Sequence, residues 1–85
     1  MVQHQVTAPL PGVFYRRPSP EADAFAEINS IVQVADTLAV VEVMKQFFEL
    51  EAGATGRVES FLVEDGSVVE AGQVVAIIVT GEELS

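Results

Sequence analysis

The feature that most constrains the fold of this chain is an internal repeat. Residues 27–41 align without a gap on residues 64–78, at an offset of 37 residues. Four of these positions carry the same residue in both halves, namely Glu27, Ser30, Val32 and Ala39. Asn29 aligns with Gly66, and both residue types tolerate the left-handed backbone of a tight turn. We therefore predict two similar units related by a pseudo-two-fold axis.

The upstream part of the repeat has a different offset. Three residues, Ala8, Gly12 and Phe14, align with Ala52, Gly56 and Val58 at an offset of 44 residues. The difference between 44 and 37 leaves seven extra residues in the first half, between Gly12 and Asn29. The segment 17–23 fits this insertion, because its two prolines cannot donate hydrogen bonds to a β-ladder. We predict a protruding loop there rather than a longer strand.

The apolar residues occur in short β-branched runs separated by turn residues, without sustained helical periodicity. The predicted strands are Val6–Ala8, Val13–Tyr15, Ala24–Ile28, Thr37–Glu42, Phe47–Ala52, Arg57–Val63 and Val74–Val79, with a further short strand around Val68–Val69. This pattern predicts an all-β, pseudo-two-fold flattened sandwich or barrel of two four-stranded sheets. The domain is expected to span residues 8–80, between an N-terminal extension at 1–7 and a C-terminal tail at 81–85.

The repeat also predicts which residues form the core. Leu38 is equivalent to Val75, and Val40 is equivalent to Ile77. Because side chains alternate along a strand, Leu38 and Val40 are expected on one face, and Val75 and Ile77 on another. All four side chains should then point into the same interior.

The charge of the chain limits its partners. Thirteen acidic residues against four basic residues give a net charge of −9, which repels phosphate backbones and anionic lipids. Nucleic-acid and membrane binding are therefore not expected, and basic protein surfaces are favoured. The N-terminus has no signal-peptide pattern, and the absence of cysteine suits the cytoplasm. A chain of 85 residues fits a single domain, which we expect to be monomeric.

Lys45 is the only lysine in the sequence, and it lies at the join between the two halves. The strands Thr37–Glu42 and Phe47–Ala52 must turn back on each other here, which predicts a hairpin tip at or beside Lys45. An amine at such a tip is accessible while the flanking strands fix its Cα, as a covalent modification site requires. From position alone, an ordinary surface lysine remains the alternative.

Several motifs resemble those of a known family. The segment Glu42-Val43-Met44-Lys45-Gln46 resembles the Glu-Ala-Met-Lys-Met motif of biotinyl domains, in which the lysine is biotinylated. Residues 8–16 look like the opening segment of the carrier subunits of bacterial acetyl-CoA carboxylases, and residues 18–25 resemble their protruding "thumb". Residues 34–38 and 63–66 are similar to two further segments of these subunits. The resemblance extends from Ala8 to about Val79, and we call residues 17–23 the thumb.

The chain also departs from the family pattern. Val43 replaces the usual alanine, Gln46 the second methionine, and Ala35 a glycine. Phe48, followed by Glu-Leu, is closer to the related lipoyl domains. Lipoyl domains, however, typically place aspartate directly before the lysine, where this chain has Met44, and they lack the thumb. The biotinyl type is therefore favoured.

The resemblance implies a non-catalytic carrier that holds biotin covalently on Lys45. Such a carrier takes carboxylate from a biotin carboxylase subunit and delivers it to a carboxyltransferase subunit, after a biotin protein ligase has attached the biotin. The residues that the resemblance links to ligase recognition are Glu42, Val43, Met44 and Gln46. The thumb residues Ser19, Pro20 and Glu21 would pack near the biotin rings. Because Met1 lies just before the first matching motif, we expect a stand-alone carrier.

Two alternatives remain. The chain could be a lipoyl carrier of a 2-oxo acid dehydrogenase or similar complex, or an unmodified β-sandwich that acts as a scaffold subunit. Other candidate sites are weaker: we expect His4 in a polar tail without a metal or catalytic role. Glu42, Glu49 and Glu51 are expected on a wet strand face, and residues 53–56 in a turn rather than a phosphate-binding loop. The acceptor that is carboxylated would be chosen by the carboxyltransferase.

Overall fold

The computed structural model describes residues 2–81 and contains two four-stranded antiparallel sheets. The strands are β1 (Val2–Thr7), β2 (Gly12–Tyr15), β3 (Ile31–Val32), β4 (Thr37–Val43), β5 (Gln46–Glu51), β6 (Gly56–Phe61), β7 (Val68–Val69) and β8 (Val74–Thr80). Their order is β1-β8-β6-β3 in one sheet and β5-β4-β2-β7 in the other. Residues 2–81 form no helix, and so no helical segment that could cross a membrane. The predicted sandwich of two four-stranded sheets is confirmed.

The two offsets read from the sequence reappear in the strand bounds. Adding 37 residues converts β3 and β4 into β7 and β8, and adding 44 residues converts β1 into β5 and the start of β2 into that of β6. The same relation exchanges the two sheets. Hydrogen bonds repeat as well: Phe14 N donates to Ser67 O over 2.8 Å, and Val58 N donates to Ser30 O over 2.9 Å. The predicted pseudo-two-fold duplication is therefore present in the backbone.

Equivalent turns use the predicted left-handed residues. Asn29 has a φ of 77° and Gly66 a φ of 86°. Each backbone N–H then reaches the strand of the other half: Asn29 N donates to Val58 O over 2.7 Å, and Gly66 N donates to Phe14 O over 2.6 Å. These bonds lock each turn onto the opposite repeat.

Two sequence-based strand assignments are wrong. Residues 24–28 form no strand; instead, β3 at Ile31–Val32 is the strand that pairs with β6. The misassigned segment is the return of the inserted loop, where Phe25 N donates to Arg16 O over 2.8 Å. Residues 2–7 are not an extension, because they form β1 and pair with β8 from Val2–Thr80 to Thr7–Val74. Of the expected tail, residues 82–85 lie outside the described residues.

The core is filled by small and β-branched side chains from both halves. Phe14, Leu38, Val41, Val58 and Ile78 are among its fully buried members. Adjacent side chains of β4 lie on opposite faces of the sheet. Val41 belongs to the core cluster, whereas Val40 is buried outside that cluster.

The predicted facing of the core pairs is wrong in part. Thr37 pairs with Glu51 and Ala39 with Leu50, so that Leu38 is an extra residue in β4. A register shift between Val6 and Thr7 leaves Val75 as the equivalent extra residue of β8. These irregularities break the alternation, because an inserted residue changes which face the following side chains occupy. Leu38 and Val75 therefore join the core cluster, while Val40 and Ile77 do not.

Two neighbouring valines test this assignment with the same chemical change. Val41→Ala should lower the free energy of unfolding by about 2–3 kcal/mol, because it leaves a cavity in the core. Val40→Ala should cost about 1 kcal/mol, because neighbouring side chains can close over the outer face. Urea unfolding of the two variants measures the difference, and equal losses would contradict the assignment.

Candidate functional site

Lys45 lies at the tip of the β4–β5 hairpin. Val43 and Gln46 form the last strand pair, and the tip consists of Met44 and Lys45 alone. Both tip residues are exposed, and the Met44 side chain is 90% exposed. The amine is thus carried on a two-residue turn whose ends are fixed by a paired strand on each side.

The tip adopts an unfavourable backbone conformation for its sequence. Met44 has a φ of 50° and Lys45 a φ of 68°. Two-residue hairpins with positive φ at both positions strongly prefer Asn-Gly or similar pairs. A side-chain-bearing residue in this region costs about 1 kcal/mol or more. Strain of this kind is typical of functional positions. Met44 and Lys45 therefore make the fold less stable than an Asn-Gly tip would, which indicates that their side chains are kept for function.

One face of the sheet beside the tip carries exposed aromatic residues. The register aligns Val13 with Glu42 and Glu42 with Phe47, so these three side chains share the face that points away from the core. Tyr15 lies on the same face, two residues beyond Val13. Phe47 remains 59% exposed there.

A groove of about 290 Å³ lies between this face and the thumb. We call it the thumb groove, and its lining residues are Tyr15, Arg17, Pro18, Ser19, Pro20, Glu42, Phe47 and Asp65. Two of the predicted thumb residues, Ser19 and Pro20, line the groove, whereas Glu21 does not. Of the residues linked to ligase recognition, Glu42 lines the groove, and Val43, Met44 and Gln46 do not.

The thumb is held together by its own hydrogen bonds. Ala22 N donates to Ser19 O over 3.1 Å, which closes the turn at its end. The Arg17 guanidinium donates from Nη1 to Ala22 O over 3.0 Å and so links the outgoing and returning segments. The prolines in between limit the backbone further. The thumb therefore forms a defined wall of the groove.

The repeat provides an internal comparison for this face. At the two offsets, Tyr15, Glu42 and Phe47 align with Glu59, Val79 and Gln3. A register shift makes Glu59 an extra residue of β6, so Ser60 pairs with Ile77 as Tyr15 pairs with Val40. In the second sheet, Gln3 Nε2 donates to Glu59 Oε2 over 3.1 Å, and Val79 is fully buried. Polar side chains thus occupy the positions that hold the two aromatic rings beside Lys45. The aromatic face is a feature of the sheet that carries Lys45.

Sequence reasoning identified only part of this site. It missed Tyr15, Arg17, Pro18 and Asp65 as groove residues. The exposed aromatic position of Tyr15 was visible in the alignment with Glu59, but the approach of Asp65 depends on the path of the chain. The register places Phe47 on the outward face of its strand, beside Lys45.

The weaker candidate sites behave differently. His4 does not lie in a polar tail: it belongs to β1, and a Cβ at Gly53 would lie 2.9 Å from its Nε2. Among residues 2–81, no cluster of potential metal ligands occurs. Glu49 and Glu51 are exposed, and Glu49 accepts a hydrogen bond from Thr37 Oγ1 over 3.0 Å.

Comparisons with known proteins agree with this geometry. The biotin/lipoyl family model, described as "Biotin-requiring enzyme", matches residues 4–78. The biotin carboxyl carrier protein of acetyl-CoA carboxylase from Haemophilus influenzae is 44% identical over 75 residues, which cover 88% of this chain and 48% of that protein. The protein of the same name from Pseudomonas aeruginosa is 43% identical over 68 residues, covering 80% of this chain and 44% of the relative.

Similarity also extends to a solved structure. The urea carboxylase of Kluyveromyces lactis superposes with a TM-score of 0.77 and 26% identity, over 93% of this chain and 6% of that protein. This chain spans about half the length of the two bacterial relatives. The family match over most of its residues, together with the identity to both carrier proteins, shows that the chain belongs to the biotin/lipoyl attachment domain family.

Proposed function

We propose that this chain is a biotin carboxyl carrier domain of an acetyl-CoA carboxylase-like enzyme, with biotin joined to Lys45 through an amide bond. The observation that carries the proposal is the exposed lysine at a strained two-residue tip beside an aromatic groove. The names of the bacterial relatives support biotin as the attached group. Bound biotin supplies the nitrogen that carries the carboxylate, and the protein supplies placement.

The residues present fit an attached biotin. Glu42 and Phe47, which line the groove, form the strand pair next to Val43–Gln46 at the base of the tip. At about 3.3 Å per strand residue, they lie roughly 7–10 Å from Lys45, within reach of an extended lysine side chain with biotin attached. The rings of Tyr15 and Phe47 offer apolar surface on one side, and Ser19 and Pro20 offer the thumb on the other. We infer that the biotin rings rest in this groove between reactions.

The carrier itself performs no chemistry in this proposal. A biotin carboxylase subunit loads the carboxylate and a carboxyltransferase subunit removes it, in the cytoplasm. Tethering replaces diffusion of free biotin by a local concentration on the order of millimolar. The net charge of −9 favours partners with basic surfaces. A biotin protein ligase would recognise the tip through Glu42, Val43, Met44 and Gln46.

One observation favours a lipoyl group as the second candidate. Phe48, which resembles the lipoyl pattern, pairs with Val41 on the inward face of β5 and is 38% exposed. It does not line the thumb groove. The mass of the intact protein from its native cell distinguishes the two groups, because biotin and lipoate add different masses.

Biotin should attach at Lys45 and nowhere else in the chain. Incubation with biotin protein ligase, ATP and biotin should add one biotin to the wild type and none to Lys45→Arg, as read by intact mass. Gln46→Met restores the family residue and should label at least as fast as the wild type. Unlabelled wild type, or a labelled Lys45→Arg, would contradict the proposal.

Relieving the strain at the tip should stabilise the fold and abolish labelling. The double substitution Met44→Asn with Lys45→Gly should raise the free energy of unfolding by about 1–2 kcal/mol, because Asn-Gly suits this turn. Lys45→Ala is the control: it also removes the amine, but it keeps a Cβ and should change stability by less than 0.5 kcal/mol. Urea unfolding measures the free energy of unfolding of both variants. A loss of stability in the Asn-Gly variant would contradict the claim that the tip is strained.

The thumb should be dispensable for folding and for labelling. Deleting residues 19–22 shortens a loop that the second repeat lacks, so the free energy of unfolding should change by about 1 kcal/mol or less. Ligase should still biotinylate Lys45, whereas the biotin-induced chemical-shift changes of Tyr15 and Phe47 amides should shrink. Loss of cooperative unfolding would show that the thumb belongs to the core.

A further inference from the structure

The thumb groove depends on the angle at which the thumb leaves the sandwich. Residues 16–30 connect β2 to β3 without forming a strand, so no sheet ladder fixes this segment. The thumb's internal hydrogen bonds hold its shape but do not attach it to the sheets. A contact at its base must therefore set its direction.

Arg16, the first residue after β2, makes such contacts through its backbone. Its N–H donates to Asp65 Oδ1 over 2.6 Å, and its carbonyl accepts the N–H of Phe25 over 2.8 Å. The first bond reaches the turn before β7, in the second half of the repeat. The second bond clamps the outgoing and returning segments of the loop together.

The Arg16 side chain extends the same connection. Its guanidinium carbon lies 4.1 Å from the centroid of the Phe61 ring, and Nη2 lies 3.4 Å from Ala26 O. An ion pair to Glu27 Oε1 spans 3.6 Å. The planar guanidinium can stack on a ring and donate at its edge at the same time, which a lysine ammonium cannot do. One side chain thus joins β6 to the returning segment of the thumb loop.

This arrangement is not optimised for stability. Arg16 Nε is buried without a hydrogen-bond partner among residues 2–81, which costs free energy. The carboxylate of Glu27 is 74% exposed, so the ion pair contributes little. At the offset of 44 residues, the aligned residue in the second half, which has no thumb, is Ser60. Arg57 of the second half is partly buried as well, so what distinguishes Arg16 is its stacking on Phe61 and its bond to Ala26 O.

We propose that Arg16 is a positioning residue that holds the thumb over the aromatic face and so keeps the groove formed. Its side chain acts through Phe61 and Ala26, whereas its backbone bonds to Asp65 and Phe25 persist in any non-proline residue, and it does not itself line the groove. Its value for binding rests on the proposed function, because the groove matters only if Lys45 carries biotin. Ala26 is packed in the core and should stay there, but loss of the guanidinium should remove its link to Phe61 and let the Pro18–Pro20 wall move, while the Lys45 tip stays unchanged.

The test compares Arg16→Met with Arg16→Lys and with the matched control Arg57→Met. Arg57 is the arginine of β6, and its side chain donates to Asn29 Oδ1 over 3.1 Å, away from the thumb groove. Each ¹⁵N-labelled protein is studied before and after biotinylation by ligase, with the extent of labelling read by intact mass. The readouts are the heteronuclear NOE of the Arg17, Ser19 and Ala22 amides and the biotin-induced shifts of the Tyr15, Ser19 and Phe47 amides.

Arg16→Met should lower the thumb NOE values and reduce the biotin-induced shifts at least twofold, with labelling within twofold of the wild type. Arg16→Lys keeps the positive charge but not the planar guanidinium, and its biotin-induced shifts should lie between those of Arg16→Met and the wild type. Arg57→Met should behave as the wild type. Thumb NOE values and shifts that stay at wild-type levels in Arg16→Met would overturn the proposal.

Two further outcomes remain informative. If Arg16→Met fails to fold, Phe61→Leu removes the stacking ring while Arg16 stays in place, and unchanged thumb NOE values in that variant would overturn the proposal. If wild-type Lys45 accepts no biotin, the proposed function fails. The NOE comparison of the unmodified proteins still decides whether Arg16 positions the thumb.

Discussion

The structure depends on an interior that neither repeat can complete alone. Each sheet takes two strands from each half: β1 and β3 join β6 and β8, and β2 and β4 join β5 and β7. The central side chains Phe14 and Val41 come from the first half, and Val58 and Ile78 from the second. A single repeat would expose an apolar face on every strand it contributes, so both halves must fold together. The hairpin that carries Lys45 is the covalent link between them.

Function is concentrated where the two halves differ. The symmetric positions follow the requirements of the shared core and turns, as in the left-handed pair Asn29 and Gly66. The tip and the thumb have no counterpart in the second half, and the aromatic face has none on the other sheet. In the other sheet, Ser60 and Gln3 occupy the ladder positions of Tyr15 and Phe47, and Gln3 donates to the neighbouring Glu59. Duplication thus provides a stable frame, and departures from it mark the residues of the proposed biotin site.

The sequence predicted those properties that local pattern and repetition determine. The apolar runs located seven of the eight strands at least in part, and the two offsets located the left-handed turn pair and the inserted loop, because equivalent residues face equivalent surroundings. Prediction failed at residues 24–28, whose apolar pattern resembles a strand although the chain there returns along Arg16. It also failed at Leu38, where an extra residue shifts the face of Val40. The groove could not be predicted from the sequence, because it forms where Asp65, Phe47 and the thumb meet across long separations in sequence.

The ends of the described chain lie at the pole opposite Lys45. Val2 pairs with Thr80, which the repeat relates to the pair Gln46–Val43 at the base of the tip. His4 lies against Gly53, beyond the end of β5 that is remote from the tip, and the molecule is 41 Å long. Any polypeptide joined to either end would therefore be attached at the end of the sandwich that is opposite Lys45. The domain itself then becomes a rigid spacer, which adds most of its own length to the radius that Lys45 can sweep.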